Sequence, residues 1–281
     1  MRRRKRWKWL LPPLIALLLA IFFLWQQNGI VTEVYTVPVG SLPAAFDGFR
    51  IVQISDLHGK EFGEDNAKLL KAVAELQPDL IAITGDLIDQ AEQLDMVPPL
   101  AKGLSQIAPT CYVTGNHEWA VRKVNALKAI LRDNGVTVLT NSCITLERDG
   151  QPLVIAGVDD PNGPLGQKSG QELRQEIAAE YGNTSVVLLA HRDSVDEYAG
   201  WGYDLVLCGH GHGGVIRIPI LNKGLLSTDR TLFPEFDGGL YRFLDGGACV
   251  VSRGLGSNTV PIQAFRLFNR PDLPLIILQS A

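Results

Sequence analysis

Five histidines occur in this 281-residue sequence, His58, His117, His191, His210 and His212, and each follows closely on an apolar run that reads as a β-strand. The runs are Ile54-Ser55-Asp56-Leu57-His58, Ile83-Thr84-Gly85-Asp86, Val113-Thr114-Gly115-Asn116-His117-Glu118, Leu188-Leu189-Ala190-His191 and Leu207-Cys208-Gly209-His210-Gly211-His212. Taken singly, an Asp after a strand is more often a turn or helix-cap residue. Taken in order, with no histidine left over, five strand ends deliver Asp, Asn and His and nothing softer. That is the donor set of a hydrolytic metal site.

Spacing supports convergence. In an extended segment residues i and i+2 project the same way, so Asp56 and His58 can grip one ion together, as can the histidines flanking Gly211. Gly85, Gly115, Gly209 and Gly211 allow the sharp turns and close backbone approach that such a pocket needs. Mixed carboxylate and imidazole donors suit zinc, manganese or iron rather than calcium or copper(I). The seven donors Asp56, His58, Asp86, Asn116, His191, His210 and His212 are too many for one catalytic ion that keeps an open position. Two divalent ions sharing a carboxylate use them fully, and ions roughly 3.5–4 Å apart can clamp the attacking and leaving oxygens of a phosphoryl displacement.

The elements that must carry these donors can be traced along the chain. Apolar alternation and helical periodicity predict strands over 50–55, 80–83 and 111–113, with helices over 66–76, 96–105 and 121–133 between and after them. Beyond Gly135 helices thin out, with one at about 169–181. Short strands follow at 137–139, 144–146, 153–157, 186–189, 205–208, 215–218, 240–243, 248–252 and 274–278. So many strands with few helices in the second half predict an α/β fold of two mixed sheets packed face to face under outer helices. In such layers sites form at the carboxyl ends of strands.

Residues 9–25 are uncharged and almost wholly apolar. As a helix they reach about 25 Å, just short of a bilayer core, and neighbours such as Ile30 and Val31 can extend the run. Trp7, Trp9 and Trp25 flank it, where indole rings favour headgroup level. Six basic residues fall in positions 1–8, and no small-x-small cleavage site follows Trp25, so an uncleaved signal anchor is expected over 9–29 rather than a removed signal peptide. The positive charges place 1–8 in the cytoplasm and the body outside a bacterial cell membrane, as a single-pass protein. Residues 30–48 read as a connection, and 49–281 as the one folded domain.

Without those six charges the body holds 20 basic and 30 acidic residues, so it has no general attraction for nucleic-acid backbones. The expected partner is a phosphate ester, with lipid-linked and cell-envelope esters among the candidates. The cysteines form no C-x-x-C pair, which disfavours structural zinc and thiol redox chemistry; Cys111 and Cys208 read as buried free thiols.

Asp56-Leu57-His58, Gly85-Asp86, Gly115-Asn116-His117-Glu118, His191 and Gly209-His210-Gly211-His212 resemble, in order, the signature of calcineurin-like metallophosphoesterases. The resemblance spans about 49–278. It implies a four-layer αββα sandwich, one ion on Asp56, His58, Asp86 and His212, and another on Asp86, Asn116, His191 and His210, bridged by Asp86. The wider context is similar to a bacterial branch of membrane-anchored or exported phosphodiesterases, near which UDP-diacylglucosamine pyrophosphatases lie. Gly211 stands where Thr or Ser is common and Val215 where Gln is frequent, departures that bear on substrate fit rather than on metal binding.

The implied chemistry is hydrolysis by a water whose pKa two bridging cations depress, with His117 protonating the leaving oxygen. Arg192, Arg217 and Arg253 are candidates for phosphate contact, and Trp119 for either packing or substrate contact. Two alternatives stand beside this reading. One is a lipid A-type pyrophosphatase, which requires a cytoplasmic body. The other is a non-catalytic metal-binding scaffold, for which His117 would be superfluous.

Overall fold

A computed structural model describes residues 7–228, 230–257 and 264–281. The predicted basic tail lies outside the described residues except for Trp7 and Lys8, whose backbone opens the first helix. In chain order the elements are α1 (Trp7–Asn28), β1 (Val34–Val39), β2 (Arg50–Ile54), α2 (Ala67–Glu75), β3 (Leu80–Thr84), α3 (Val97–Ile107) and β4 (Thr110–Val113). Next come α4 (Asn116–Val121), α5 (Val124–Asp133), β5 (Thr137–Val138), β6 (Ser142–Arg148), β7 (Gln151–Gly157), α6 (Gly170–Tyr181) and β8 (Val186–Leu189). The chain closes with α7 (Val195–Ala199), β9 (Leu205–Cys208), β10 (Arg217–Ile218), β11 (Lys223–Gly224), β12 (Gly239–Arg242), β13 (Ala248–Val251) and β14 (Leu275–Ser280).

Two six-stranded mixed sheets result, in the orders β1-β14-β2-β3-β4-β5 and β12-β13-β9-β8-β7-β6. Side-chain alternation then sorts each strand's residues between two cores. Ile81 and Ile83 of β3 face the helices α2, α3 and α5. Leu80 and Ala82 face the second sheet, where they meet Ile155, Val187, Leu189 and Leu207. On the far side of the second sheet Val154, Val186, Leu188 and Val206 pack against Leu173 and Ile177 of α6 and Tyr198 of α7. The layers are therefore helix, sheet, sheet, helix, as expected from the strand count. Strands β2, β3 and β4 run parallel, as do β8 and β9, so two sets of strand carboxyl ends open on one rim.

Residues 30–48 do more than connect. Strand β1 pairs in parallel with β14 along its whole length, from Val34 opposite Leu275 to Val39 opposite Ser280, and Val37, Val39 and Phe46 enter the inter-sheet core. The predicted 215–218 strand is confined to Arg217–Ile218, which forms a two-stranded ribbon with β11. Two thiols far apart in sequence, Cys208 and Cys249, lie 3.5 Å apart across neighbouring strands β9 and β13.

Helix α1 contains a 19-residue stretch, Leu10–Asn28, long and apolar enough to cross a membrane by length and composition, and Leu10 through Trp25 stand largely exposed. Its C-terminal end is keyed to the body. The Gln27 side chain donates to Arg266 O (2.6 Å) and accepts from Arg266 N (2.9 Å), and Lys60 donates to Gln27 O. Arg270 sits 4.3 Å from the Trp25 ring centre and donates to Gly29 O and Ile30 O. Phe22 and Phe23 meet Phe268 and Phe265, with ring centres 5.8 and 6.2 Å apart.

Candidate metal centre

Each sequence-predicted donor is carried on a turn that leaves a strand end. Asp56 and His58 follow β2, Asp86 follows β3, Asn116 and His117 open α4 after β4, His191 follows β8, and His210 and His212 follow β9. The backbone is driven into the left-handed region at Asp56 (φ 51°), His58 (52°), Asp86 (53°), His210 (70°) and His212 (50°). Each such residue costs on the order of 1–3 kcal/mol, and residues of this kind persist where the surroundings over-determine them, commonly at functional sites. Close approach of neighbouring strand-end turns demands glycine beside them: across the sheets a Cβ on Gly209 would meet Ser55 Oγ at 2.0 Å and Asp56 Oδ2 at 2.3 Å, and within the first sheet one on Gly115 would meet Asp86 Oδ1 at 2.1 Å.

The side chains collect into two donor groups around Asp86. Asp56, His58 and His212 form one, and Asp86, His191 and His210 the other; a further cluster, His58, Asp89 and His117, shares His58 with the first. Asp86 Oδ2 lies 3.2 Å from His191 Nε2 and 3.8 Å from His58 Nε2, so one carboxylate faces both groups. His58 Nε2 and His212 Nε2 are 2.8 Å apart, His210 Nδ1 and His191 Nε2 3.2 Å, and Asn116 Oδ1 is 3.0 Å from His191 Nε2. All seven predicted donors are thus brought together.

Several ring nitrogens face the interior for a stated reason. His191 Nδ1 donates to Thr84 O at 2.8 Å, and His58 Nδ1 donates to Asp89, which points each Nε2 inward. Burial disfavours an imidazolium at His191, but Asp86 and Asp56 outweigh it and raise its pKa to about 10. His210 is lowered to about 2 by burial and by the charges of His191 and Arg192. His212 is also pushed well down, by burial and then by His58 and Arg266. Asp86 is buried, which alone would raise it, yet His191 and its neighbours hold it well below the usual carboxylate range. Carboxylate, amide and imidazole donors facing one another across a few ångströms form a set that divalent cations fit.

Two carboxylates that the sequence pattern does not mark join the site. Asp89 accepts from Nδ1 of both His58 and His117, the latter at 2.8 Å, and so orients a donor of the first group and the neighbouring histidine together. His117 stands 28% exposed on its side chain with Nε2 3.9 Å from Asp86 Oδ2. Its pKa is raised: burial pulls down, and the bond to Asp89 with the charge of Asp86 pulls up harder. Glu118, fully buried, takes the amides of Asp86, Leu87 and Gly115 at 3.1, 2.6 and 2.8 Å and so ties two strand-end loops together.

The three arginines considered for phosphate contact part company. Arg192 forms a two-bond pair with Asp160 and stands 3.0 Å from His210 Nε2, half-exposed at the edge of the site. Arg217 is buried and spends its guanidinium on Gly213 O, Asp237 O and Asn222 O. Arg253 pairs with Glu33 and Asp272. Trp119 donates to Thr114 Oγ1 at 3.0 Å with Lys128 near its ring, a packing role. Beside His191 and Arg192 opens a cavity of about 310 Å³, walled in part by Pro164, Leu165 and Trp201.

Comparison with known proteins gives one family. The model of the calcineurin-like phosphoesterases matches residues 49–214. An uncharacterized metallophosphoesterase of Aquifex aeolicus is 30% identical over 270 residues, covering 95% of this chain and 98% of that protein. A transmembrane protein with metallophosphoesterase domain from Bos taurus is 30% identical over 91% of this chain, which spans 58% of that longer protein. The phosphodiesterase YaeI of Escherichia coli is 27% identical, with 82% of each chain covered.

Proposed function

We propose a reaction from the premise that the chain belongs to the calcineurin-like phosphoesterase family and is a hydrolase of phosphate esters: it is a membrane-anchored phosphodiesterase dependent on two divalent metal ions. The observation that carries this reading is the pair of donor groups meeting at Asp86, whose Oδ2 is 3.2 Å from one histidine and 3.8 Å from another on the opposite side. Asp56, His58, Asp86 and His212 would hold one ion, and Asp86, Asn116, His191 and His210 the other. Manganese, zinc or iron matches these donors. When bound, two such cations supply Lewis acidity that lowers the pKa of water and neutralises phosphoryl oxygens.

The remaining work falls to the chain's own groups. Asp89 fixes the Nδ1 proton of His117, so Nε2 is the free end of that ring. Its raised pKa favours the imidazolium, and from that state His117 Nε2 hands a proton to the departing ester oxygen as the P–O bond breaks. A pure scaffold would have no use for this Asp89–His117 pair. Arg192, locked on Asp160 beside His210, is positioned to meet a non-reacting phosphoryl oxygen, and the adjacent cavity to take the organic part of the ester. The phosphodiesterase relative agrees in reaction class, and the transmembrane relative in anchoring.

The basic N-terminal residues favour a body outside the cytoplasm of a bacterial cell, with 49–281 as the catalytic domain and β1 joined to it. A reporter enzyme fused after Ala281 should be active only outside the cytoplasm; cytoplasmic activity reverses the orientation and favours the pyrophosphatase alternative. The reaction is tested on full-length protein in detergent, stripped of metal and reloaded with manganese, against bis(p-nitrophenyl) phosphate. Turnover should vanish on stripping and return on loading.

A further inference from the structure

Beside the candidate metal centre the body exposes apolar side chains where a water-soluble surface has no reason to. Ile220 is 95% exposed and Leu221 61% in the turn between β10 and β11, and Leu232 and Phe233 are 65% and 53% exposed a few residues on. These belong to one hydrogen-bonded patch. Ile216 bridges to Leu267, and Arg217 N donates to Leu267 O at 3.0 Å. Arg217–Ile218 pairs with Lys223–Gly224, Leu226 bridges to Leu232, and Phe233 N donates to Leu225 O. Strands so joined lie about 4.8 Å apart, which puts the outer edge roughly 15 Å from Leu267.

The inner edge of the patch is the foot of α1. Phe265 and Phe268, themselves partly exposed, stack on Phe23 and Phe22 of that helix. Arg270 lies over Trp25, an indole and a cation side by side, as at a headgroup boundary. A helix whose shaft is exposed and apolar from Leu10 to Leu24 thus runs directly into an exposed apolar patch on the body. The patch also supports the catalytic floor. Asn269 donates to His212 O (2.7 Å) and Val215 O (3.0 Å), and Arg266 Nη2 is 3.4 Å from His212 Nδ1.

We infer that the apolar collar of Ile220, Leu221, Leu232, Phe233, Phe265 and Phe268 seats in the bilayer that α1 enters, holding the metal centre at the membrane surface to hydrolyse phosphodiesters anchored in that bilayer. This rests on the phosphodiesterase reading. Continuity with α1 selects a lipid surface over a protein partner, because the collar's inner edge already packs on the segment proposed to enter lipid. The step is hydrolytic: water oxygen bonds to phosphorus, the P–O bond to one ester oxygen breaks with its electron pair, and that oxygen gains a proton.

The test uses full-length, manganese-loaded protein reconstituted in dioleoylphosphatidylcholine vesicles with two substrates that share a leaving group: dioleoylphosphatidyl-p-nitrophenol in the same bilayer, and soluble bis(p-nitrophenyl) phosphate. The combined I220S, L221S, L232S and F233S variant should turn over the lipid ester about tenfold more slowly, as expected from lost interfacial contact, with the soluble rate within about twofold of the parent. Equal rates on the lipid ester, or a parallel fall on both substrates, overturns the inference. Independently of activity, a nitroxide on L221C in a C143S background should be relaxed more by oxygen than by an aqueous nickel chelate. An aqueous profile, or dipolar broadening between copies, overturns it. A parent inactive on the soluble ester but with its nitroxide in lipid refutes the phosphodiesterase reading and leaves the collar standing.

Discussion

The floor of the candidate centre hangs from five strand ends of two sheets, five of its seven donors buried, with the backbone strained at five of the positions that carry them. A few ångströms away the rim formed by residues 214–228, 230–233 and 264–270 is made of turns and two-residue strands, and it turns Ile220 and Phe233 outward. The two regions are joined at His212, whose carbonyl is held from the rim by Asn269. The floor is rigid because both faces of its strands are buried in packed cores, and such rigidity fixes reaction chemistry. The rim is under no such constraint and can be shaped to the surroundings and the substrate. Perturbing the floor should therefore change catalysis on every ester, and perturbing the rim should discriminate among esters.

Asp86→Ala should break the floor most completely. It removes the carboxylate that faces both donor groups, so elemental analysis should find both ions lost and turnover down by about 10⁴-fold or more on any substrate. Retention of both ions would detach Asp86 from the bridging role. His117→Ala comes next: metal content unchanged, turnover down by about 10²–10⁴-fold, with a smaller loss for p-nitrophenolate than for an alkoxide leaving group. Equal losses for both leaving groups, or loss of metal, would remove His117 from proton transfer.

Asp89→Asn sharpens the contrast within the floor itself, since Asp89 touches both His58 and His117. Metal affinity and turnover should each fall about 10–100-fold, the scale of losing a carboxylate that orients a ligating histidine. An effect on turnover alone would limit Asp89 to His117. The smallest effect is expected at the junction of helix and body. Gln27→Ala removes two bonds to the Arg266 backbone and should lower unfolding stability by about 1–3 kcal/mol in detergent, read by thermal denaturation, with turnover on the soluble ester nearly intact. A large loss of turnover would mean that α1 holds the floor as well as the rim.

Sequence reading reached the floor and stopped at the rim, for a physical reason. Strands buried on both faces write continuous apolar runs, and histidine is rare enough that five of them behind such runs are informative. Most strands of the two sheets, and the residues that gather at the candidate centre, were legible on that basis. Asp89 was not, because an aspartate one turn past a motif looks like any loop residue until its two histidine partners are seen. Strand β1 was missed because Val34–Val39 contains Pro38 and sits at a sheet edge, where the pattern weakens. The pairing of β1 with β14, and of Arg266 with Gln27, spans more than 200 residues and leaves no local trace. The exposed collar was equally hidden, since Ile220 and Leu232 read as ordinary apolar residues until their exposure is known.

The central claim, two metal ions shared across Asp86 and required for phosphodiester hydrolysis, is met most directly by titrating metal-stripped, full-length protein with manganese while following bound metal and turnover of bis(p-nitrophenyl) phosphate in the same samples. Activity should track occupancy and saturate at two ions per chain, with Asp86→Ala binding neither. Saturation at one ion, or undiminished turnover in protein shown to be metal-free, would contradict it.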